Sequence, residues 1–399
     1  MSAQPDGLNQ AIMPAADYRI VPYRPEYKAQ VIEFQKDLWS PSAELNEAYL
    51  DWKHLRNPYV SEPLIYLALC GKEVVGMRGF FGTKWQFGSP RETLVIPCAA
   101  DMLIAPDHRN RSLMTLIMKA ALKDLAQRGH TYAFSMSAGS MTLVSQMAMG
   151  WRSTGLLQPK QRIVPARQSF PGVRTLLRKS PKVVSVYRWL RRPGQTAASD
   201  AARQSPANHF DVFDSRSNQR SHRVGTHVSI QKAPRPADMA ELVARLENDG
   251  RIRHVEDEPY FAWRFQNPRS RYRFLFWDDG WLEGYLVLQA TPLPWMPHIN
   301  LVAWEATTER ACADLLQAAI ELVGRETLFT WSATLGESEL LILNAAGFTR
   351  VVQTITQHPA TVLVRPIRDE MLDQEWLVGG KRLLDLGSWD LRMIYSDGF

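Results

Sequence analysis

The chain has 399 residues, which is too long for a single core of ordinary size, so its length predicts two or three domains. Hydrophobic residues make up 45% and charged residues 22% of the sequence, a balance that is typical of a globular protein and argues against extended disorder. The net charge is +6, and the three cysteines lack any CxxC spacing, so neither a disulfide framework nor a metal cluster is predicted.

The first 17 residues are expected to form a flexible tail. They lack the basic region followed by an apolar run that a secretory signal requires, and no later apolar run reaches the length of a transmembrane helix. These features together predict a cytoplasmic protein.

The first predicted domain, residues 18–165, contains the segment Tyr49-x-x-Trp52-Lys53, which is followed by Asn57-Pro58. Apolar alternation and turn residues predict the next elements, and Gly129 is placed where a helix would end. In chain order these are strands at 64–70, 74–81 and 93–106, a helix from Leu113 to Arg128, a strand at 131–138 and a short helix ending at Met149-Gly150-Trp151.

A second segment, Tyr260-x-x-Trp263-Arg264 followed by Asn267-Pro268, repeats the first. The elements after it come in the same order, so the repeat is a whole domain rather than a solenoid unit. They are strands at 272–278, 282–289 and 298–306, a helix from Glu309 to Gly324, a strand at 327–333 and a short helix ending at Ala346-Gly347-Phe348.

The repeat predicts an α/β (α+β) fold of two tandem units, each with a mixed, mostly antiparallel sheet flanked by helices. The second unit is expected at 223–365. Residues 166–222 are expected to be a basic segment and linker, because they are rich in Arg, Ser, Pro and Gln. Residues 366–399 contain enough aromatic side chains to pack against a domain as an extension.

A basic stretch lies where the two units join. No Asp or Glu occurs between Asp124 and Asp200, and the ten cations from Lys160 to Arg192 fall inside this gap. Such a stretch attracts anions, for example a phosphorylated cofactor, an anionic glycan or lipid, or nucleic acid. A solvated linker with no specific partner is the other interpretation, and the sequence does not decide between them.

The run from Leu103 to Met114 combines a strand end, Pro106, a basic loop and the start of a long helix. A helix N-terminus presents backbone N–H groups without acceptors and carries partial positive charge, so it binds anions such as pyrophosphate. Arg109 and Arg111 add charge beside it. The loop resembles the pyrophosphate loop of the GNAT N-acetyltransferase superfamily, whose pattern is hydrophobic-x-Pro-x-x-Arg/Gln-Gly-x-Gly-x-Gly/Ala.

The resemblance implies an acyl-CoA site, with acetyl-CoA as the expected donor. The family's three small loop positions are Asn110, Ser112 and Met114 here. Asn tolerates positive φ, whereas the Met114 side chain could crowd the phosphates. The resemblance assigns cofactor contacts to Leu103, Ile104, Arg109, Asn110, Arg111, Ser112, Leu113 and Met114.

The second unit has no equivalent loop. After its third strand the sequence runs TTERACADLL, with Glu309 where an anion would be repelled. This unit is therefore expected to lack the cofactor and to be structural or substrate-binding.

Acyl transfer to an amine needs a proton acceptor and donors for the oxyanion. The resemblance places Asp101 near the position of the family's base, and burial would raise its pKa towards the working range. An ordinary carboxylate paired with a cation is the alternative. Gln146 occupies the position of the family's tyrosine acid, so Ser140 is predicted as a substitute, with Ser137 and Tyr132 as other candidates.

The predicted function is an acyl-CoA-dependent N-acyltransferase that acts on a small amine or amino sugar. The Tyr-x-x-Trp-basic segment is similar to tandem GNAT chains linked to cell-surface polysaccharide pathways. The acceptor is expected to be anionic or lipid-linked, with contact to a membrane surface through residues 160–192, and neither a metal nor nucleic acid is expected. A non-catalytic protein on a degenerate GNAT frame and a Fem-type transferase that takes aminoacyl-tRNA are the alternatives.

Overall fold

Two mixed sheets, each flanked by helices, form the framework of the chain. The predicted α/β architecture with two tandem copies is confirmed. The protein is described here by a computed structural model that covers residues 17–88, 90–136, 139–163, 223–224, 227–247, 249–290, 298–351 and 361–397.

The helices follow the predicted order in both halves, and their buried faces explain their positions. Leu113, Ile117, Ala121 and Leu125 are fully buried at a spacing of four residues, which is one face of a helix. Within the described ranges the α-helices are α1 (Lys28–Phe34), α2 (Ala43–Leu50), α3 (Leu113–Gln127), α4 (Ser140–Ala148), α5 (Pro236–Arg245), α6 (Glu258–Arg264), α7 (Glu309–Val323) and α8 (Glu337–Ala345).

The strands lie in two large sheets and one small hairpin. They are β1 (Tyr18–Pro22), β2 (Leu64–Cys70), β3 (Glu73–Phe87), β4 (Glu92–Ile104), β5 (Tyr132–Ser135), β6 (Arg152–Leu156), β7 (Lys160–Arg162), β8 (Arg223–Val224), β9 (Val228–Gln231), β10 (Ile252–His254), β11 (Arg271–Asp278), β12 (Leu282–Ala290), β13 (His298–Ala306), β14 (Thr327–Thr330), β15 (Thr349–Arg350), β16 (Thr361–Pro366), β17 (Leu377–Val378), β18 (Lys381–Arg382) and β19 (Trp389–Asp390).

Corresponding helices in the two copies end in the same way. Gly150 after α4 and Gly347 after α8 both have positive φ, at 86° and 85°. Trp151 N–H then donates to Gln146 O, and Phe348 N–H donates to Leu343 O, which is the Schellman pattern. The repeated Gly-aromatic pair seen in the sequence is therefore a helix-ending device.

Each sheet includes at least one strand from the other copy. The first sheet has the order β1-β2-β3-β4-β5-β16-β6, and the second has the order β15-β7-β14-β13-β12-β11-β9-β8. Strand β16, from the second copy, pairs with β5 and β6, whereas β7, from the first copy, pairs with β14 and β15. The boundaries expected at 165 and 365 assign both strands to the wrong sheet, because strand pairing here does not follow sequence proximity.

The two Trp segments of the repeat meet each other at the centre of the molecule. The indole rings of Trp52 and Trp263 are stacked with centroids 5.1 Å apart. Trp52 Nε1 donates to Trp263 O at 2.8 Å, and Trp263 Nε1 donates to Trp52 O at 2.7 Å. Both side chains are buried, and each indole donates to the backbone of the other segment.

The C-terminal extension packs between the two sheets. Strand β19 pairs with β10, and β10 pairs with the far end of β3, so both extend the first sheet. Trp389, Met393 and Tyr395 belong to the same buried core as Trp52, Trp85 and Trp263. The extension therefore contacts both copies rather than a single domain.

Candidate active site

A cleft opens in the first sheet where β4 and β5 part. The two strands are paired at a single position, Cys98 with Phe134, and β4 continues to Ile104 beyond it. On its other edge this part of β4 pairs with β3, through Ala100 to Gly79 and Leu103 to Met77. On the side of β5, β4 therefore has no paired strand after Cys98 among the described residues.

The loop after the cleft adopts the conformation that glycines would favour. Asn110 and Ser112 have φ values of 61° and 59°. They occupy two of the positions where the GNAT pyrophosphate loop, which this loop resembles, has small residues. Asparagine adopts the left-handed backbone region at modest cost. Two of the sequence departures therefore preserve the backbone shape of the loop, and Met114 lies half-buried in the first turn of α3.

Helix α3 begins without a side-chain cap. Ser112 is its left-handed N-cap residue and its side chain makes no capping hydrogen bond. The first helical hydrogen bond runs from Leu116 N–H to Ser112 O. The N–H groups of Leu113, Met114 and Thr115 therefore have no acceptor within the helix, and they can bind an anion.

The corresponding helix of the second copy is already capped. The Thr308 side chain accepts a hydrogen bond from Ala311 N–H at the start of α7. Glu309 adds a negative charge in the first turn and accepts a hydrogen bond from Ser338. A self-capped, acidic N-terminus does not offer the same anion site.

The cleft of the second sheet is filled by the chain itself. Thr330 Oγ1 donates across it to Leu301 O at 2.9 Å. The C-terminal extension enters there, with Thr334 Oγ1 donating to Leu391 O at 2.9 Å and Arg392 Nε donating to Glu305 Oε1 at 3.2 Å. The remaining cavity is about 10 Å³, room for about one water molecule.

The two arginines of the first loop make different contacts. Arg109 is exposed, and its Nε donates to Ile104 O at 3.2 Å, which folds the side chain back over the end of β4. Arg111 Nη1 donates to Tyr18 OH at 3.2 Å, and the same hydroxyl lies 2.9 Å from His108 Nδ1. Tyr18 on β1 thus braces the loop against the sheet, and both guanidinium groups lie at its edge.

Asp101 lies at an irregular point of β4, three residues beyond the pairing of Cys98 with β5. Its φ is 48°, because two residues of β4 stand opposite Arg78 of β3 there. Lys53 Nζ lies 2.8 Å from Asp101 Oδ1, and His54 Nε2 lies 2.6 Å from Asp101 Oδ2. The Asp101 side chain is buried and each of its oxygens has a basic partner.

The expected rise in the pKa of Asp101 is wrong. Burial does act to raise this pKa, but the charge of Lys53 and the hydrogen bond from His54 together lower it below the ordinary value of an aspartate. Burial lowers the pKa of Arg78, the cation on the neighbouring strand, to about 10. Asp101 is therefore a stable carboxylate, which is the paired alternative left open by the sequence.

Lys53 joins the first copy to the end of the chain. Its ammonium also lies 2.7 Å from Asp397 Oδ2 and 5.2 to 5.4 Å from the ring centres of Trp39, Tyr49 and Phe81. Asp101 and Asp397 raise the pKa of Lys53 above its ordinary value in spite of burial. The lysine is thus held as a cation inside the protein.

The equivalent residue of the repeat, Arg264, binds the same extension. Its Nε donates to Ile394 O at 2.6 Å and its Nη2 donates to Ser396 O at 2.9 Å. A cavity of about 10 Å³ lies between the two copies beside Lys53, Arg264 and Asp397. The repeated Trp-basic pair therefore fixes the C-terminal residues from both sides.

Sequence reasoning missed Lys53, His54 and Asp397. The repeat had drawn attention to the basic position after each tryptophan, but nothing in the sequence indicated the partner of that cation. The sequence does show a repeated basic residue and an acidic C-terminal segment, but these two features do not indicate that the side chains of Lys53 and Asp397 meet.

The candidates for the general acid remain predictions. Gln146 is buried, and neither its amide nitrogen nor its oxygen has a hydrogen-bond partner. Ser140 is the first residue of α4, but its side chain lies outside the described residues, as does Ser137. Tyr132 is buried, and its hydroxyl donates to Leu377 O at 3.3 Å.

Only the start of the basic stretch is described. Lys160 Nζ donates to Asn344 Oδ1 at 2.7 Å and Arg162 Nε donates to Ala346 O at 2.9 Å, so both fasten β7 to the second copy. The other eight cations up to Arg192 lie outside the described residues. Across the described ranges no helix could span a membrane, and no group of three metal-ligating side chains is present.

The comparisons with known proteins agree with this geometry. Residues 19–153 match the family model for the acetyltransferase (GNAT) domain, whereas a sequence search among curated proteins found no match. A protein of unknown function and probable N-acyltransferase from Enterococcus faecalis V583 has a similar structure, with a TM-score of 0.55 and 11% identity over 88% of this chain and 72% of that chain. A GCN5-related N-acetyltransferase from Anabaena variabilis ATCC 29413 gives a TM-score of 0.54 and 11% identity over 88% and 73%. Residues 19–153 are therefore similar to the acetyltransferase (GNAT) domain, and the chain shares its overall fold with these two solved structures.

Proposed function

We propose that this protein is an acyl-CoA-dependent N-acyltransferase, with acetyl-CoA as donor, whose single cofactor site lies in the first copy. The observation that carries the proposal is the contrast between the two helix N-termini. Helix α3 leaves three N–H groups without helical acceptors beside Arg109 and Arg111, whereas α7 is capped by Thr308 and acidic at Glu309. Pyrophosphate fits the first arrangement and is repelled by the second.

The residues that would hold acyl-CoA follow from the same geometry. The N–H groups of Leu113 and Met114 and the charges of Arg109 and Arg111 face the diphosphate in this proposal. The free edge of β4 at Leu103 and Ile104 supplies hydrogen-bonding groups for the pantetheine amides, while Asn110 and Ser112 give the loop its shape. The bound thioester supplies an activated acyl group, and the chain supplies binding and proton transfer.

Calorimetric titration with acetyl-CoA tests the proposal. Arg109→Glu and Arg111→Glu should each weaken binding by about 1.5–3 kcal/mol, the range for a charge-assisted contact. Arg310→Glu, at an exposed position of α7, is the matched control and should leave the affinity unchanged. Equal losses in both copies would refute a single site in the first.

The same titration separates the alternatives. If the wild-type protein does not bind acetyl-CoA but retains RNA, the result favours the alternative function, a Fem-type transferase that takes aminoacyl-tRNA. If it binds neither, the chain is a non-catalytic protein on a GNAT frame.

We also propose that the acceptor is a small amine or amino sugar with an anionic or lipid-linked part. In this proposal the protein acts in the cytoplasm, in the synthesis of a cell-surface polysaccharide. The support is the basic stretch, which follows β6 of the first sheet and begins in β7 of the second sheet. Replacing its cations by Gln should raise the acceptor KM and flatten its salt dependence without changing acetyl-CoA affinity, and no change in either would leave the stretch a linker. The positions for replacement are Arg174, Arg178, Lys179, Arg191 and Arg192.

A further inference from the structure

One ring nitrogen of His54 has a hydrogen-bond partner and the other has none. Its Nε2 lies 2.6 Å from Asp101 Oδ2, whereas its Nδ1 is buried and has no hydrogen-bond partner. The side chain as a whole is buried. A buried polar atom without a partner is uncommon and costs stability, so it requires a reason.

The hydrogen bond determines which nitrogen carries the proton. Asp101 is a carboxylate and can only accept, so the Nε2 atom of His54 must donate. In the neutral ring Nδ1 then has a free lone pair and is the basic atom. A carboxylate that fixes the tautomer of an imidazole also stabilises the imidazolium that forms when the other nitrogen takes a proton.

A local change of helix type brings the two basic residues onto one carboxylate. Residues Asp51–Leu55 form a π-helical turn, in which Arg56 N–H donates to Asp51 O at 2.8 Å. Lys53 and His54, adjacent in this turn, each contact a different oxygen of Asp101. Such turns are rare and occur frequently at functional sites.

The second copy differs at the equivalent described positions. Its helix α6 is a regular α-helix that ends at Arg264, and the next residue is Phe265. The extra residue in β13, between Leu301 and Ala303, is Val302 rather than an aspartate. The imidazole-carboxylate pair is therefore confined to the copy that has the open helix N-terminus.

The pair lies beside the cleft. Gly79 is paired with Ala100, two residues beyond the last contact of β4 with β5. A Cβ atom at Gly79 would lie 3.0 Å from both His54 Cε1 and Asp101 Oδ2, so the absence of a side chain there leaves room for both groups. The charged groups around the ring are Asp101 of β4, Lys53 of its own turn, Arg78 of β3 and Asp397 of the C-terminal extension.

We propose that His54 Nδ1 is the proton acceptor in acyl transfer, directly or through one water molecule, and that Asp101 and Lys53 are positioning residues. This inference rests on the proposed function. The amine nitrogen bonds to the thioester carbonyl carbon and gives its proton to His54 Nδ1. The C–S bond breaks, and the imidazolium returns the proton to the departing sulfur, so that an amide and a free thiol result.

His54→Gln is the direct test, because a glutamine amide can still donate to Asp101 but has no basic nitrogen. Turnover of acetyl-CoA is followed by loss of thioester absorbance, with a panel of primary amines that includes amino sugars and with water alone. The expected loss is about 100-fold or more. The rise of the rate with pH should disappear, and acetyl-CoA affinity measured by calorimetry should stay within about twofold.

His130→Gln is the matched control, since His130 is half-buried and its Nδ1 lies 3.3 Å from Val95 O on the neighbouring strand, away from the Asp101 carboxylate. It should keep wild-type turnover. A His54→Gln protein that keeps turnover within about threefold and retains the pH dependence would overturn the proposal. If the wild-type protein fails to bind acetyl-CoA at all, the proposed function fails first.

A spectroscopic readout covers the case in which the variant does not fold. In wild-type protein labelled with nitrogen-15 histidine, one resonance pair should show the neutral tautomer with its proton on Nε2, which the contact with Asp101 Oδ2 requires. Its Nδ1 signal should move when acetyl-CoA and an amine are added together. The opposite neutral tautomer, with its proton on Nδ1, would exclude His54 as the acceptor.

Discussion

Removing the buried cation at Lys53 should destabilise the protein strongly. Its Nζ lies 2.8 Å from one oxygen of Asp101 and 2.7 Å from one oxygen of Asp397. At an effective dielectric constant of about 20, each contact corresponds to about 6 kcal/mol of attraction before desolvation is subtracted. Lys53→Met keeps most of the packing against Trp39 but leaves two buried carboxylates without their cation, so we expect a loss of about 3–5 kcal/mol in the free energy of unfolding.

The measurement is urea unfolding followed by tryptophan fluorescence and circular dichroism at neutral pH, with both probes required to coincide. Asp397→Asn alone leaves the Lys53–Asp101 pair intact and should cost less than Lys53→Met. The double variant should cost less than the sum of the two, because it removes one of the two anions that lose the Lys53 cation in Lys53→Met. A loss below about 1 kcal/mol for Lys53→Met, or strict additivity, would show that the network contributes little.

Three further outcomes are expected. Trp52→Phe and Trp263→Phe should each cost about 1 kcal/mol, and a double-mutant cycle should show coupling across the stacked pair, with additivity as the contrary result. Burial raises the pKa of the Glu256 carboxyl to about 8, above an unfolded value of about 4.3. The stability that comes from its bound proton is therefore present at low pH and is lost as the pH rises towards 8. Glu256→Gln should remove about 1.4 kcal/mol per pH unit from the slope of unfolding free energy against pH, whereas Glu241→Gln, at an exposed position, should not change it. Residues 1–222 expressed alone should lack a cooperative thermal transition because β16 is absent from the first sheet, and a sharp transition in that fragment would contradict the exchange.

Local features of the fold could be predicted from the sequence. The ends of α3, α4 and α8 at Gly129, Gly150 and Gly347 follow from the preference of glycine for positive φ, and all three adopt it. The tolerance of asparagine for positive φ likewise accounts for the φ of 61° at Asn110. These predictions required only short-range information.

Long-range features could not be predicted in the same way. Strand β7 has only three residues, Lys-Gln-Arg, and nothing in it distinguishes one sheet edge from another. Lys53 contacts residues 48 and 344 positions away, so its partners are set by the assembled fold. The error over Asp101 has this origin, because burial was considered without the cations that accompany it.

The strand exchange also sets the order of events during synthesis. Strand β6 leaves the ribosome early, but its inner neighbour β16 ends at Pro366, which is 210 residues after Leu156. At about 5–20 residues per second, the first sheet waits about 10–40 s with β5 and β6 unpaired on their facing edges. Exposed strand edges of this kind pair readily with other chains. Slow translation of the second half should therefore increase aggregation of the nascent protein, and a chaperone that shields β5 and β6 should raise its yield.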